Sequence, residues 1–264
     1  MTQSDCQANL VARRFSSAQR YHQFATVQQH FEKRVYQRAS QWVTPGDCVV
    51  DLGAGPALGL SQWVDDHPAV IPFAVDFAFH ALRCVQHSRV VPVCSNAHHL
   101  PFANESVAMV VSNFALQWCE PELALSEIHR VLKPGGYALL TMPVAGSLIE
   151  LHAASSAIGE SIVNELPDAS AWQRGIKGGL KNGALIHCEQ RSHCDHYPSV
   201  LALMRAIRET GASTRLNRTG HGLKTKQWLQ AMERGYPKVG DTDEVVATWQ
   251  VLEMVVRKAE ESCA

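Results

Sequence analysis

The stretch Asp47-Cys48-Val49-Val50-Asp51-Leu52-Gly53-Ala54-Gly55-Pro56-Ala57-Leu58-Gly59 decides the fold. The short apolar run from Cys48 to Leu52 predicts a buried strand. It breaks on two glycines spaced by one residue, and a helix-like segment follows. A strand, a glycine turn and a helix in that order let the backbone approach a ligand closely, because glycine adopts angles that the turn needs. Taken alone, the G-x-G also fits a tight turn in any α/β protein.

Working outward, a second apolar run, Ile71 to Val75, ends in Asp76, 23 residues beyond Gly53. In a doubly wound sheet, an acid ending the second strand sits beside the nucleotide crevice and accepts bonds from ribose hydroxyls. The other reading of Asp76 is an N-cap for the next helix. Ala57 stands where a third glycine is usual, and no phosphate-gripping Lys-Ser/Thr follows, so a pyrophosphate lacks its cradle. A ligand with a nucleoside and no phosphates fits better, and S-adenosylmethionine is the common one.

Asp51-Leu52-Gly53-Ala54-Gly55 followed by Asp76 resembles the cofactor motif of class I S-adenosylmethionine-dependent methyltransferases. Asn113-Phe114-Ala115-Leu116-Gln117-Trp118-Cys119 and Leu132-Lys133-Pro134-Gly135-Gly136 are similar to that family's fourth-strand exit and the turn before its fifth strand. Gln117-Trp118-Cys119, with Gly146-Ser147-Leu148-x-Glu150-Leu151, resembles one subfamily, the malonyl-acyl-carrier-protein O-methyltransferases of biotin synthesis. The likeness runs from about Phe15 to the last strand.

Strands alternate with helices along the chain. Strands are expected at Cys48–Leu52, Ile71–Val75, Val90–Cys94, Val107–Val111 and Tyr137–Met142. A helix is expected from Tyr21, with Phe24, Val27, Phe31, Val35, Ala39 and Trp42 on one face, and another from Ala78 to His87. A third opens at Pro121 and is stopped by Gly135-Gly136. This rhythm predicts an α/β fold, a mostly parallel sheet with helices on both faces. After Pro143 helices are expected over Leu148–Ile158, Ser199–Thr210 and Lys224–Glu233, and strands over Leu185–Tyr197 and Val245–Val256. The resemblance makes this a Rossmann-like class I methyltransferase fold of seven strands. It implies one domain over 1–264, with a cofactor-binding core at 45–145, lid regions at 146–185 and 198–240, and antiparallel edge strands at 185–197 and 245–257.

Composition narrows the function. The 264 residues are 46% hydrophobic and 19% charged, as in an ordinary globular protein, and a net charge of −1 argues against a dedicated nucleic-acid binder. Residues 1–15 have no apolar core of a signal peptide, and no window reaches the ~18 apolar residues of a membrane span. The eight scattered cysteines read as reduced, buried thiols of a cytoplasmic protein. His187-Cys188 and His193-Cys194-Asp195-His196 match no usual zinc spacing, so no metal is expected.

The resemblance assigns roles residue by residue. Asp51, Gly53, Gly55, Asp76, Phe77, Asn96, Ala97 and Asn113 would bind the cofactor. Asn96 stands where the family commonly has an Asp that accepts from the adenine amino group; otherwise it is a turn residue. Arg205 matches an arginine that holds the substrate carboxylate, against a plain solvated helix arginine, and Tyr21 matches a tyrosine that helps close the pocket, against core packing. A carboxylate is ionised at neutral pH, so no general base is expected. The window from Arg205 to Lys226 holds six basic residues against Glu209 alone; it suits an acidic acyl carrier protein carrying malonyl, or is a solvated loop. The expected activity is methyl transfer to the free carboxyl of malonyl-acyl-carrier protein or malonyl-CoA. Another small-molecule methyltransferase, or a catalytically silent S-adenosylmethionine-binding protein, remains open.

Overall fold

The computed structural model describes residues 21–179, 183–210, 226–238, 240, 242 and 244–260, with side chains from Gln23 onward. Two helices, α1 (Tyr21–Phe24) and α2 (Thr26–Ala39), lead into β1 (Cys48–Leu52), α3 (Leu58–Asp66), β2 (Ile71–Asp76), the single turn α4 (Phe79–Leu82) and β3 (Val91–Cys94). There follow β4 (Val107–Asn113), a 3-10 turn at Leu116–Trp118, α5 (Pro121–Val131), β5 (Leu132–Pro143), α6 (Ile149–Ala157) and α7 (Ala169–Gly179). The chain then runs through β6 (Gly183–Tyr197), α8 (Val200–Glu209), α9 (Lys226–Gly235) and β7 (Val245–Lys258).

The seven strands lie in the order β3-β2-β1-β4-β5-β7-β6. β1 to β5 are parallel neighbours, while β7 pairs antiparallel with both β5 and β6. Alternation along the strands builds two packed layers. Val50, Val110, Leu140 and Met254 meet α5 and α7 on one side; Val49, Val111, Leu139 and Val255 meet α2 and α3 on the other. β4 lies between two parallel strands, and its first six residues are buried, which explains the unbroken apolar run from Val107 to Val111.

Several boundaries differ from the sequence expectation, and four of the differences have a physical reason. The helix expected from Tyr21 is interrupted at Ala25 (φ −91, ψ 45). The helix expected over Ala78–His87 is one turn, since only Ala78, Ala81 and Leu82 are buried in that span. α5 stops at Val131 rather than at the two glycines, because Pro134 pushes Lys133 out of helical geometry and β5 has already begun at Leu132. β7 extends to Lys258, whose buried Nζ donates to the His129 and Leu132 carbonyls at the end of α5 and to Glu105.

α2 is fixed to the sheet edge by an ion-pair network. Arg34 donates to both oxygens of Glu253 at 2.7 and 3.2 Å, and Arg38 and Arg191 approach the same carboxylate at 3.7 and 3.5 Å. His187, Glu189 and Glu253 do converge as a metal site would require. Three guanidinium groups already surround Glu253, however, so its oxygens serve as hydrogen-bond acceptors in the network.

Close packing is tightest at Gly53. A Cβ placed there would lie 2.0 Å from the Ala115 Cβ, and the residue has φ +80. Gly53→Ala is therefore expected to cost roughly 2–4 kcal/mol of stability, from overpacking and a disfavoured backbone together. Urea denaturation of Gly53→Ala with and without Ala115→Gly checks this. The second substitution should recover the steric share and leave the backbone share; equal stability of the two proteins would disprove the contact.

Candidate active site

Because β1 to β4 run parallel, their carboxyl ends open on one edge of the sheet. β1 lies between β2 and β4, where the strand order reverses, the switch point at which α/β sheets bind ligands. Gly53 donates to the Val75 carbonyl at 2.7 Å, which holds the glycine turn against the end of β2. Asp76 ties the two together: Oδ2 accepts from the Gly55 N–H at 2.8 Å and Oδ1 from the Ala78 N–H at 2.7 Å. The capping alternative for Asp76 is thus partly realised, as a bond two residues forward. Each oxygen keeps a further lone pair for a hydroxyl.

Ala57 adopts a left-handed conformation (φ 52) with no exposed surface. A left-handed alanine costs about 1–2 kcal/mol, while glycine would lose the buried methyl and gain unfolded-state entropy. These terms nearly cancel, so alanine is tolerated at the third position of the motif.

Three carboxyl groups surround the turn. Asp51 is buried and accepts from the Tyr36 hydroxyl at 2.7 Å. Burial pushes its pKa up to about 7, with Glu32 and Asp76 adding repulsion against the Tyr36 bond. Burial likewise raises Glu32 to about 7, although it accepts from the Gly59 N–H. Asp76 is raised by burial, opposed by the backbone donors of Ala78, Gly55 and Phe77. A crevice with three acids and raised pKa values is prepared for a cation.

The other expected residues fall around this edge. Phe77 follows Asp76, and its carbonyl accepts from the Cys94 thiol at 3.7 Å. Asn96 uses Oδ1 to accept from the His98 N–H at 3.0 Å, which is the turn role, and Ala97 packs on the core beneath. Asn113 donates to the Gln28 carbonyl at 3.0 Å and accepts from Thr141 at 2.5 Å. Tyr21 lies in α1, which rests against α8, but its side chain is outside the described residues. Arg205 is exposed on α8, and that helix and its C-cap give Ile207 and Thr210, not Arg205, to the cleft described next. Most of the basic window, 211–225, lies outside the described residues.

One residue past Asn113 a cleft opens, lined by Phe114, Gln117 and Trp118 after β4, Gln28 from α2, Trp249 from β7 and Leu148 beside α6, among others. Sequence reasoning missed Glu32 and Tyr36, Gln28 and Trp249. Glu32 and Tyr36 are four apart on one side of α2, a detectable spacing. Trp249 is concealed in the ordinary apolar alternation of Val245, Ala247 and Val251. His98, whose Nε2 is buried without a partner, was also unmarked.

A methyltransferase-domain family model matches residues 50–140. The chain is 31% identical over 95% of its length to malonyl-[acyl-carrier protein] O-methyltransferase of Alcanivorax borkumensis, covering 86% of that protein. A relative of the same description from Methylococcus capsulatus is 32% identical over 80% of the chain and 78% of the relative. The chain belongs to the malonyl-acyl-carrier-protein O-methyltransferase family. Among solved structures, the YcgJ protein of Bacillus subtilis shares the fold with a TM-score of 0.58 at 18% identity, across 88% of this chain and 99% of that one. The protein is an S-adenosylmethionine-dependent methyltransferase.

The turn fits that cofactor. A Cβ on Gly55 would meet nothing within 4 Å, so space lies open over the loop. Asp76 has free lone pairs for ribose hydroxyls, and the acidic surround suits a ligand bearing an ammonium and a sulfonium. Among the described residues, no helix is long and apolar enough to cross a membrane.

The raised carboxyls set a pH dependence. In the folded methyltransferase Glu32 and Asp51 hold protons up to about 7, whereas unfolded carboxyls release them near 4. The ligand-free protein should therefore lose stability as pH rises from about 4 to 7 and change little from these groups above that. A bound cation favours the ionised forms, so cofactor binding should release protons near pH 7 and tighten toward pH 8. Calorimetry in two buffers of different ionisation enthalpy measures the release. It should shrink in Glu32→Gln and Asp51→Asn; no release in the unsubstituted protein would refute the assignment.

Proposed function

We propose that the methyltransferase converts the free carboxyl of a malonyl thioester, on acyl carrier protein or coenzyme A, to its methyl ester, an early step of biotin (pimeloyl) synthesis. One observation carries the reading beyond the family name. Among the described residues, no titratable side chain lines the cleft beside the cofactor turn. A phenol or amine acceptor would need a base there to take its proton; a carboxylate is already an anion at neutral pH.

Bound S-adenosylmethionine supplies an activated methyl and leaves as a neutral thioether. The chain's own task is alignment, which can account for about 7–11 kcal/mol of barrier lowering. Asp76, with Gly53 and Gly55, fixes the nucleoside end of the crevice, and Asp51 and Glu32 supply negative charge near its methionine end. Phe77, Asn96 and Ala97 are assigned to the adenine side and Asn113 to the boundary with the cleft. Tyr21, on the helix against α8, is assigned to closing the pocket. The product ester turns a charged end into an apolar one, which fatty-acid enzymes can then extend.

Arg205 and Arg208 are exposed on α8, and Lys226 is exposed at the start of α9. This placement supports docking of an acidic carrier more directly than a grip inside the cleft. Incubation with S-adenosylmethionine and malonyl carrier protein or malonyl-CoA, read by mass spectrometry, should give the methyl ester. Arg205→Ala should raise KM for the carrier about fivefold and weaken its salt dependence. Failure to esterify either thioester, with cofactor bound, would overturn the substrate; a KM unchanged at low salt would overturn the docking role.

A further inference from the structure

Four polar atoms on the cleft's lining side chains have no hydrogen-bond partner among the described residues. Gln28 Oε1, Gln117 Oε1, Trp118 Nε1 and Trp249 Nε1 are buried without a hydrogen-bond partner among the described residues. All four side chains line this one cleft. Buried polar groups are almost always paired, because leaving one unmade forfeits its hydration with nothing in return. Four side chains that line one hollow each carry such an atom, and together they describe what a ligand can offer in exchange.

Their chemistry is specific. An indole N–H can only donate, so Trp118 and Trp249 require acceptors; the two amide oxygens require donors. Trp249 is 5% exposed, and its ring meets Phe114 edge-on at 6.1 Å between centroids, so packing holds the donor in place. The two tryptophans lie on different elements, one after β4 and one on β7. No charged side chain joins them among the cleft's described lining.

A carboxylate that must attack carbon is better held by neutral donors than by a guanidinium. Its negative charge is largest before reaction and is spent as the new C–O bond forms. A cation against it would stabilise the ground state more than the transition state, raising the barrier. A neutral N–H loses less as the charge disperses, and it still distinguishes a carboxylate from a methyl group.

We propose that Trp118 and Trp249 are the substrate-positioning residues of the acyl site. Their indole N–H groups donate to the malonyl carboxylate, and the Gln28 and Gln117 amide oxygens accept from the amide N–H of the thioester arm. This rests on the malonyl-thioester reading above and specifies how that substrate is recognised.

The conservative change Trp→Phe keeps a ring in the wall and removes the donor. Calorimetry on the full chain saturated with S-adenosylhomocysteine, titrated with malonyl-CoA and separately with acetyl-CoA, reads the effect. In Trp249→Phe and Trp118→Phe, malonyl-CoA should bind about tenfold more weakly while acetyl-CoA, lacking the carboxylate, binds as before. Affinity for S-adenosylhomocysteine and the urea midpoint should stay unchanged. An unaltered malonyl-to-acetyl ratio in both variants overturns the proposal, as does equal loss of both thioesters, which would mean a packing role. Ester formation by the unsubstituted enzyme decides the substrate reading separately: if it occurs and the ratio is unmoved, only the indole assignment falls.

Discussion

The contact between Gly53 and Ala115 is the constraint on which the rest of the site depends. β1 and β4 are neighbours in register, Asp51 against Val111, and their chains leave the sheet in different directions. They can do so only because Gly53 has no Cβ; one would overlap Ala115 at 2.0 Å. The closeness places the glycine turn, the Asp76 bridge and the residues after β4 around a single opening. It also makes the crevice and the cleft share a wall. Ser112 donates to the Leu52 carbonyl at 2.7 Å beneath this point, and the Phe114 N–H donates to the Thr141 carbonyl at 2.8 Å, so both strand exits are held from below.

Helix α2 sorts charge across this opening. Glu32 and Tyr36 lie one turn apart and face the glycine turn, with Tyr36 bonded to Asp51. Arg34 and Arg38 are also one turn apart, and face away, to Glu253 on β7. Residues two apart on a helix point in nearly opposite directions. One short segment therefore adds a carboxyl to the cofactor side and keeps its guanidinium groups engaged on the far side. Were Arg34 near Asp51, the raised carboxyl pKa would collapse and the crevice would lose its preference for a cation.

The glycine turn and the Asp76 bridge were legible in the sequence, and most of the cleft after β4 was not. Asp51, Gly53, Gly55 and Asp76 signal themselves because backbone geometry demands those residue types at strand ends, and their spacing follows from one strand-helix-strand unit. The strands from Cys48 to Met142 were legible for the same reason: each is a short apolar run between turn residues. Gln28 and Trp249 come from elements far apart in the chain, whereas Trp118 stands in the Gln117-Trp118-Cys119 stretch that the sequence singles out. No local pattern separates a cleft-lining tryptophan on β7 from a core one, since both occupy the buried face of the alternation. Arg205 shows the converse. Its motif position suggested the cleft, yet helical phase directs Ile207 and Thr210 there and leaves Arg205 exposed.

Backbone strain marks the boundary between the two halves. Phe114 and Leu148 both hold left-handed conformations, with φ of 53 and 57, and both line the cleft. Glycine would relieve that strain at either place, but it would also remove part of the wall. Phe114 packs between Phe31 and Trp249, and Leu148 joins the same apolar cluster, its N–H donating to the Thr248 carbonyl at 2.6 Å. The cluster gains more from burying a large side chain, about 1.5–3 kcal/mol, than a left-handed residue costs, about 1–2 kcal/mol. At Gly53 the balance reverses, since no side chain fits and only glycine survives. The same energetic comparison thus selects glycine where the backbones must touch, and an aromatic or leucine one step away, where the cleft needs a wall.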